Sequence, residues 1–470
     1  MPTAKTGFSP IDPAAEKPIY KQIYDRFVDA IANGGLQPGD RIPSARALTK
    51  ELGLARGTID AAYSLLSAEG YILARGQAGT IVSPDLKLQA PTGRRLAPPK
   101  SDPRPSYRPD TILPFQMGLP ALDAFPRKIW ARLGARCART MQAAEMAHPP
   151  IFGLFELRRE LAAYLHVSRG IECSPSQIFV TSGYRHTLQL ICQALLKAGD
   201  QVWVEDPGYP PTRDVLEHLN IDAIPIPVDE DGMSVPEAMR LAPSARAALV
   251  TPAHQSPLCM ALSLPRRLAL LDWAAHKDAW VIEDDYDGEY RYVSRPLPAL
   301  KSLDRDGRVL YAGTFSKVLF PALRLGYLVV PEEQVERFEQ VSPTFASTPQ
   351  LTQAIVTAFI TEGHFARHIQ RMRKLYAERR SAAADGLQAA LGAHIRIDPQ
   401  PGGMHLILRL QDHVDDRALV ARMIAHGIYG EALTAWTSTG KGQSALLLNF
   451  TNIRSRAEAE ALGRQILALL

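Results

Sequence analysis

Cysteine is scarce and unpatterned in this chain. Its four thiols, Cys137, Cys173, Cys192 and Cys259, form no CxxC pair and no zinc-site spacing. That excludes a disulfide scaffold and a zinc module, and it leaves reduced thiols in the core as the expectation. No metal site of any kind is expected. Apolar runs long enough to span a membrane are missing, and MPTAKTGFSP lacks the apolar core of a signal peptide. A cytoplasmic protein with no membrane partner is expected. A strong charge of either sign is also missing: the formal net charge is +4 over 470 residues. No internal repeat is found, so solenoid and propeller arrays are excluded.

What is present is the makeup of a globular protein with large cores, 46 % hydrophobic and 22 % charged. The length is too great for one ordinary domain. The small positive excess is unevenly placed. Residues 1–112 hold 15 Lys and Arg against 11 Asp and Glu, and the rest of the chain is balanced. A nucleic-acid footprint would put its charge in this way. Residues 84–112, PDLKLQAPTGRRLAPPKSDPRPSYRPDTI, are rich in proline and basic side chains and carry no apolar period. Such a stretch reads as a semi-rigid linker between folded units.

Before it, residues 1–83 read as a small helical unit with a hairpin. Ile19, Ile23, Phe27 and Ile31 recur at four-residue steps and Asn33-Gly34-Gly35 stops the helix. Ser44 can cap a second helix, with Ala45, Leu48 and Leu52 inward and Gly53 at its end. A third begins near Arg56, with Ile59, Tyr63 and Leu66 inward, and Tyr71–Arg75 and Gly79–Val82 read as hairpin strands. Two helices joined by a tight turn and followed by a hairpin make a winged helix-turn-helix. Its second helix offers its N-terminal end to the major groove. Ser44 and Arg46, Arg56 and Thr58, and Arg75 on the wing are the candidate contacts to double-stranded operator DNA. Arg46 and Arg56 suit bidentate bonds to guanine or phosphate. Tyr63 reads as half core and half phosphate contact. From PIYKQIYDRFVDAI to QAGTIV the segment is similar to the GntR-type winged helix, departing at Asp60, where many relatives carry a basic residue facing DNA.

Beyond the linker, strand-like runs at Ile178–Thr181, Val202–Glu205, Ala247–Thr251, Trp280–Asp284, Val309–Ala312 and Leu325–Val330 alternate with amphipathic helices. That alternation predicts an α/β domain over 113–330 with a mostly parallel sheet. Residues 331–470 turn to long helices and short strands, predicting a small α+β domain. Three turns carry chemistry. Ser182-Gly183-Tyr184 opens a helix whose free amides can hold a phosphate. Asp284 ends a strand and Tyr286 follows two residues on, at the carboxyl end where ligands bind in open α/β sheets. Thr314 and Lys317 in GTFSK, with Arg324 in PALRLG, combine a reactive amine with phosphate-binding groups. Tyr209 in EDPGY is suited to stack on a ring.

TSGYRHTLQL, VEDPGYPPTR, IEDDYDGEY, YAGTFSKVLFPALRLGY and PGGMHL look like the fold-type-I aminotransferase pattern over about residues 115–470. With its GntR-type head, the whole chain resembles the MocR (GabR-like) transcription regulators. The resemblance implies pyridoxal 5'-phosphate (PLP) as an internal aldimine on Lys317, Asp284 at the ring nitrogen, Tyr286 near the phenolic oxygen and Tyr209 stacked. It also implies a head-to-tail homodimer. Two departures matter. Leu447 stands where such aminotransferases carry the arginine that binds a substrate carboxylate, and Arg213 is the one cation shortly after Tyr209 that an effector could use. Arg185 occupies a phosphate-turn position and either adds charge there or faces solvent. No catalytic residue for turnover is assigned. The expected function is a regulator sensing an amine, an amino compound or PLP itself. A working aminotransferase with an accessory head, and a protein-binding adaptor with vestigial PLP, are the competing readings.

Overall fold

The computed structural model describes residues 11, 12, 15, 17–76, 79–86, 111–291, 298–400 and 402–470. Most of the linker expected over 84–112 lies outside the described residues. The chain divides into two compact units, Met1–Arg108 and Pro109–Leu470.

The first unit is built on three helices. α1 (Ile19–Ala32) follows Pro18, which supplies the fixed φ of a helix start without needing an amide proton. α2 (Ala45–Leu52) is capped by Ser44, whose Oγ accepts from the Ala47 amide at 3.2 Å, and ends at Gly53 in the left-handed region. α3 (Arg56–Ala68) buries Ile59, Ala62 and Leu66 on one face. These meet Ile23, Phe27 and Ile31 of α1, which are at most 2 % exposed. Each such Ile, Leu or Phe contributes roughly 1.5–3 kcal/mol by leaving water. The wing is a three-stranded antiparallel sheet. β1 (Arg41–Ile42) pairs with β3 (Thr80–Val82), which also pairs with β2 (Ile72–Ala74). The hairpin follows the sequence expectation; β1 adds to it, because two residues carry no readable alternation.

The second unit centres on an eight-stranded sheet. Its strands are β4 (Ile178–Thr181), β5 (Gln201–Asp206), β6 (Asp222–Asp229), β7 (Gly232–Met233), β8 (Ala247–Val250), β9 (Trp280–Asp285), β10 (Val309–Thr314) and β11 (Gly326–Val329). The order is β4-β11-β10-β9-β8-β5-β6-β7. The run from β10 to β6 is parallel, while β11 and β7 pair antiparallel with their neighbours. The sheet is therefore mixed and mostly parallel. Both faces are covered, so inner strands read as continuous apolar runs. Val202 and Val204 join the core under helix Tyr184–Leu195, while Trp203 stacks on Trp273 of helix Leu264–His276 with ring centroids 3.9 Å apart.

A smaller antiparallel sheet has the order β12 (Ile395–Ile397), β13 (His405–Leu410), β15 (Ala445–Asn449), β14 (Glu431–Ala432). Helices His364–Leu391 and Arg456–Leu467 cover one face. They approach so closely at Gly386 that a Cβ there would lie 2.5 Å from the Arg456 carbonyl oxygen. Not all of 331–470 packs on this sheet. Phe338 joins the core around Phe179, and Val356 and Phe359 pack with Leu133 and Leu157 of the larger body. The stretch after residue 111 crosses to the smaller sheet, burying Phe115 completely in its core.

Candidate functional site

The carboxyl ends of β9 and β10 open into a cavity of about 320 Å³. It sits where the strand order places a crevice between connections that leave in different directions. Two parallel neighbours supply its reactive pair. Asp284, at the end of β9, and Lys317, three residues past β10, both line it. Successive side chains of β9 point to opposite faces. Asp284 therefore turns to the cavity while Asp285 turns into the core, where it accepts from Arg169 and from the Tyr311 hydroxyl, each at 2.6 Å.

Asp284 is 8 % exposed. Burial, reinforced by Asp285, Glu205 and Asp287, pushes its carboxyl up to about 8, with Lys317 acting in the opposite direction. Such a group is stabilised as an anion by a cation set against it. Lys317 donates from Nζ to the Gly118 carbonyl at 3.0 Å, and burial lowers its pKa. Gly118 has φ +79, and a Cβ there would lie 3.0 Å from that ammonium, so glycine suits both its backbone and the close approach. Tyr286 lines the cavity, and its hydroxyl lies 3.1 Å from His254 Nδ1, which is also 3.1 Å from Asp287 Oδ2. Tyr209 lies at the mouth, 41 % exposed, its ring centroid 5.6 Å from that of Tyr184 and 5.7 Å from that of Trp436.

An anion-binding corner lies beside this pair. Helix Tyr184–Leu195 starts there behind Gly183, whose φ of 107° is open to glycine. The helix start offers free amides and the positive end of its dipole. Tyr184, Thr314, Ser316 and Arg324 line the same cavity. Thr314 Oγ1 accepts from the Ser316 amide at 3.1 Å, which leaves its proton to donate. The Arg324 guanidinium lies 3.7 Å from where a Gly183 side chain would begin.

Of the residues singled out from the sequence, Lys317, Asp284, Tyr286, Tyr209, Arg324, Thr314 and Tyr184 come together around this cavity. Ser182 and Gly183 do not line it. The Ser182 amide is taken by His186 Nδ1 at 3.0 Å, and Gly183 acts by clearing space and starting the helix. Arg213 does not line this cavity but a small adjoining pocket that shares Tyr209, Ser256 and Asp284 with it. It donates to the Trp436 carbonyl at 3.0 Å and pairs with Asp206 at 3.8 Å, tying helix Pro210–His218 to the loop after β14. Arg185 lines the cavity and pairs with Asp214 at 3.3 Å. Sequence reasoning assigned no role to Gly118, His405, Glu431, Trp436 and Asn449. They come from the stretch after residue 111 and from the smaller sheet with its loops, and of these His405 alone lies in a motif quoted above, PGGMHL.

In the first unit Arg46, Arg56 and Arg75 are exposed and Thr58 is half-buried. Arg56 opens α3 and lies 3.5 Å from Asp60, one turn on. Ser44 is exposed but already caps α2. Tyr63 departs from expectation: its hydroxyl donates to the Pro43 carbonyl at 2.7 Å, so its one proton is spent inside the unit. Arg41, not anticipated, lays its guanidinium 2.9 Å from where a Cβ of Gly79 would sit.

The two units thus define a winged helix-turn-helix protein with an aminotransferase-type α/β body. The profile of "Bacterial regulatory proteins, gntR family" matches residues 19–82, and that of "Aminotransferase class I and II" matches residues 125–451. The probable rhizopine catabolism regulatory protein MocR of Rhizobium meliloti is 35 % identical, over 96 % of this chain and 94 % of its own. The pyridoxine biosynthesis transcriptional regulator PdxR of Corynebacterium glutamicum is 35 % identical, over 92 % and 91 %. Among solved structures, the α-aminoadipate aminotransferase LysN of Thermus thermophilus, complexed with N-(5'-phosphopyridoxyl)-L-leucine, superposes with a TM-score of 0.69. It is 26 % identical and covers 76 % of this chain and 92 % of its own. This chain belongs to the MocR-type GntR transcription regulators, in which a DNA-binding winged helix is joined to an aminotransferase class I and II domain, a class that typically binds PLP. Among the described residues no helix is long and apolar enough to cross a membrane.

Proposed function

We propose that this regulator binds PLP in the cavity and reports the arrival of an amine there as a change in how its head holds operator DNA. The observation that carries the reading is the pairing of Asp284 with Lys317 in one cavity, beside an anion-binding helix start. The residues fit the cofactor: a carboxyl pushed up chiefly by burial suits a pyridinium nitrogen, and Arg324 with the helix amides suits a phosphate. PLP, when bound, supplies an aldehyde that captures amines and a ring that withdraws electrons. Lys317 is the amine for that aldehyde, and its lowered pKa favours the neutral nucleophile. Asp284 would hold a proton on the ring nitrogen, Tyr286 would donate to the phenolic oxygen, and Tyr209 would cover a ring face. Arg324, Thr314 and Tyr184 would hold the phosphate.

The head binds double-stranded DNA through Arg46, Arg56, Thr58 and Arg75, in a cytoplasmic head-to-tail homodimer. Turnover is inefficient in this reading, because Leu447 supplies no charge to orient a substrate carboxylate and Arg213 is committed elsewhere. The effector is an amine or PLP itself; the Corynebacterium relative, named for pyridoxine biosynthesis, supports the latter. The test is a titration of the purified chain with PLP, then with amines and amino acids, following absorbance and keto-acid release. A new band that shifts with an amine and yields no keto acid is expected. A protein that stays colourless overturns the cofactor assignment, and sustained keto-acid release overturns the sensor reading in favour of an enzyme.

A further inference from the structure

The smaller sheet gives the cavity an unusual charge. Glu431 on β14 is in register with Leu447 on β15, and Leu447 is in register with Ile407 on β13. Cross-strand partners point to the same face of a sheet. Asn449, two residues from Leu447, and its partner His405 both line the cavity, as does Glu431. This is the face turned towards Lys317. Leu447 itself is fully buried among Cys259, Ile407, Leu433 and Trp436, an apolar patch with no charge to offer.

Burial pushes the Glu431 carboxyl up, while its hydrogen bonds and the nearby His405 and Lys317 act in the opposite direction. Its Oε1 accepts from the Tyr429 hydroxyl at 3.1 Å and its Oε2 from Trp436 Nε1 at 2.9 Å, and both donors are neutral. His405, two strands away on β13 and opposite Asn449, is turned to the Pro257 carbonyl at 2.8 Å and the Cys259 sulfur at 3.4 Å. A ligand carboxylate arriving here would meet a like charge in a poorly solvated place, where repulsion is strong. An ammonium would find a carboxylate already oriented by two hydrogen bonds.

We propose that the small-sheet side of the cavity selects a diamine, a primary amine with a second positive charge and no carboxylate, and that Glu431 binds the second ammonium. The proposal rests on the reading that Lys317 carries PLP, which would receive the first amine. Three probes of similar length separate the possibilities: diaminobutane, butylamine, and aminobutyrate with its amine and carboxylate at opposite ends. Each is titrated into the full-length, PLP-loaded protein, dialysed free of excess cofactor, with binding read by calorimetry and by the shift of the absorbance band. Diaminobutane is expected to bind about tenfold tighter than butylamine, and aminobutyrate about tenfold weaker, the scale of one desolvated charge contact. Glu431→Gln should bring the three probes within about threefold of one another, and Glu431→Asp should keep the order. If Glu431→Gln does not fold, the series on the unaltered chain decides alone. Equal affinities, or a preference for aminobutyrate, overturn the diamine assignment while the PLP band persists. Absence of any PLP band is the separate signature of failure of the cofactor reading and removes the proposal with it.

Discussion

Arg169 Nε lies 2.6 Å from Asp285 Oδ2, with both side chains 2 % exposed. The same guanidinium reaches Glu289 Oε1 at 3.0 Å, and Asp285 also accepts from the Gly288 amide at 3.0 Å. The last turn of helix Phe155–Arg169 is thereby tied to the end of β9, the strand that presents Asp284 to the cavity. Removing one member of a buried ion cluster leaves the others desolvated and unpaired, which costs about 3–5 kcal/mol. Arg169→Met is therefore expected to lower unfolding free energy by that amount in urea titrations, with a weaker hold on PLP in whatever remains folded. A variant within about 1 kcal/mol of the parent would show that this pair does not anchor β9.

Asp284 makes stability depend on pH. In protein stripped of cofactor its folded pKa is about 8 against 3.8 for the free side chain, chiefly through burial. Between those values the folded state retains a proton that the unfolded chain has lost, so stability falls as pH rises through that window. Glu205 and Glu283, pushed up to about 7 mainly by burial, add to the same slope. A cation set against Asp284 removes its share. The rise in Tm on adding PLP should thus be larger near the top of the window than near the bottom, and Asp284→Asn should flatten the difference. Calorimetric scans across the range, with and without PLP, read this directly; a pH-independent rise contradicts the pairing.

Arg56 is contested in the head. Asp60 lies 3.5 Å from it on the exposed face of α3, so binding DNA means giving up a solvent-exposed ion pair. Such pairs are worth about 0–1 kcal/mol, and a specific arginine contact about 1–3 kcal/mol. Asp60→Ala should tighten DNA binding a few-fold at low salt. Arg56→Ala should weaken it by about tenfold or more and flatten its salt dependence. Fluorescence anisotropy with labelled duplex over a salt series measures both. Unchanged affinity in Arg56→Ala would remove that residue from the interface.

Much of this is legible from the chain because local pattern and tertiary burial agree. Ile23, Phe27 and Ile31 recur at helical spacing and all three are buried; Ser44 reads as a cap and is one. The inner strands β5, β8, β9 and β10, and the edge strand β4, announce themselves as short apolar runs because both their faces are covered. β6 is hidden because Pro225 and Pro227 argue against a strand; both are exposed, on a strand followed in the sheet only by two-residue β7. The cavity is half legible. Lys317, Asp284 and Arg324 sit in strand-end turns whose chemistry can be read locally. Gly118, Glu431 and Asn449 reach it only through packing between the stretch after residue 111 and the smaller sheet, where Asn449 Nδ2 donates to the carbonyls of Gln116 and Leu119 at 2.9 and 2.8 Å. Arg213, close to Tyr209 in sequence, lines only a small pocket adjoining the cavity, and its guanidinium also pins a loop through the Trp436 carbonyl, a use that no local pattern signals.

The most direct test of the central claim is to load the purified chain with PLP, reduce it with borohydride and map the modified peptide by mass spectrometry. A single phosphopyridoxyl label on Lys317, absent from Lys317→Ala, is the expected result. A label on another lysine, or none on the folded protein, would contradict it.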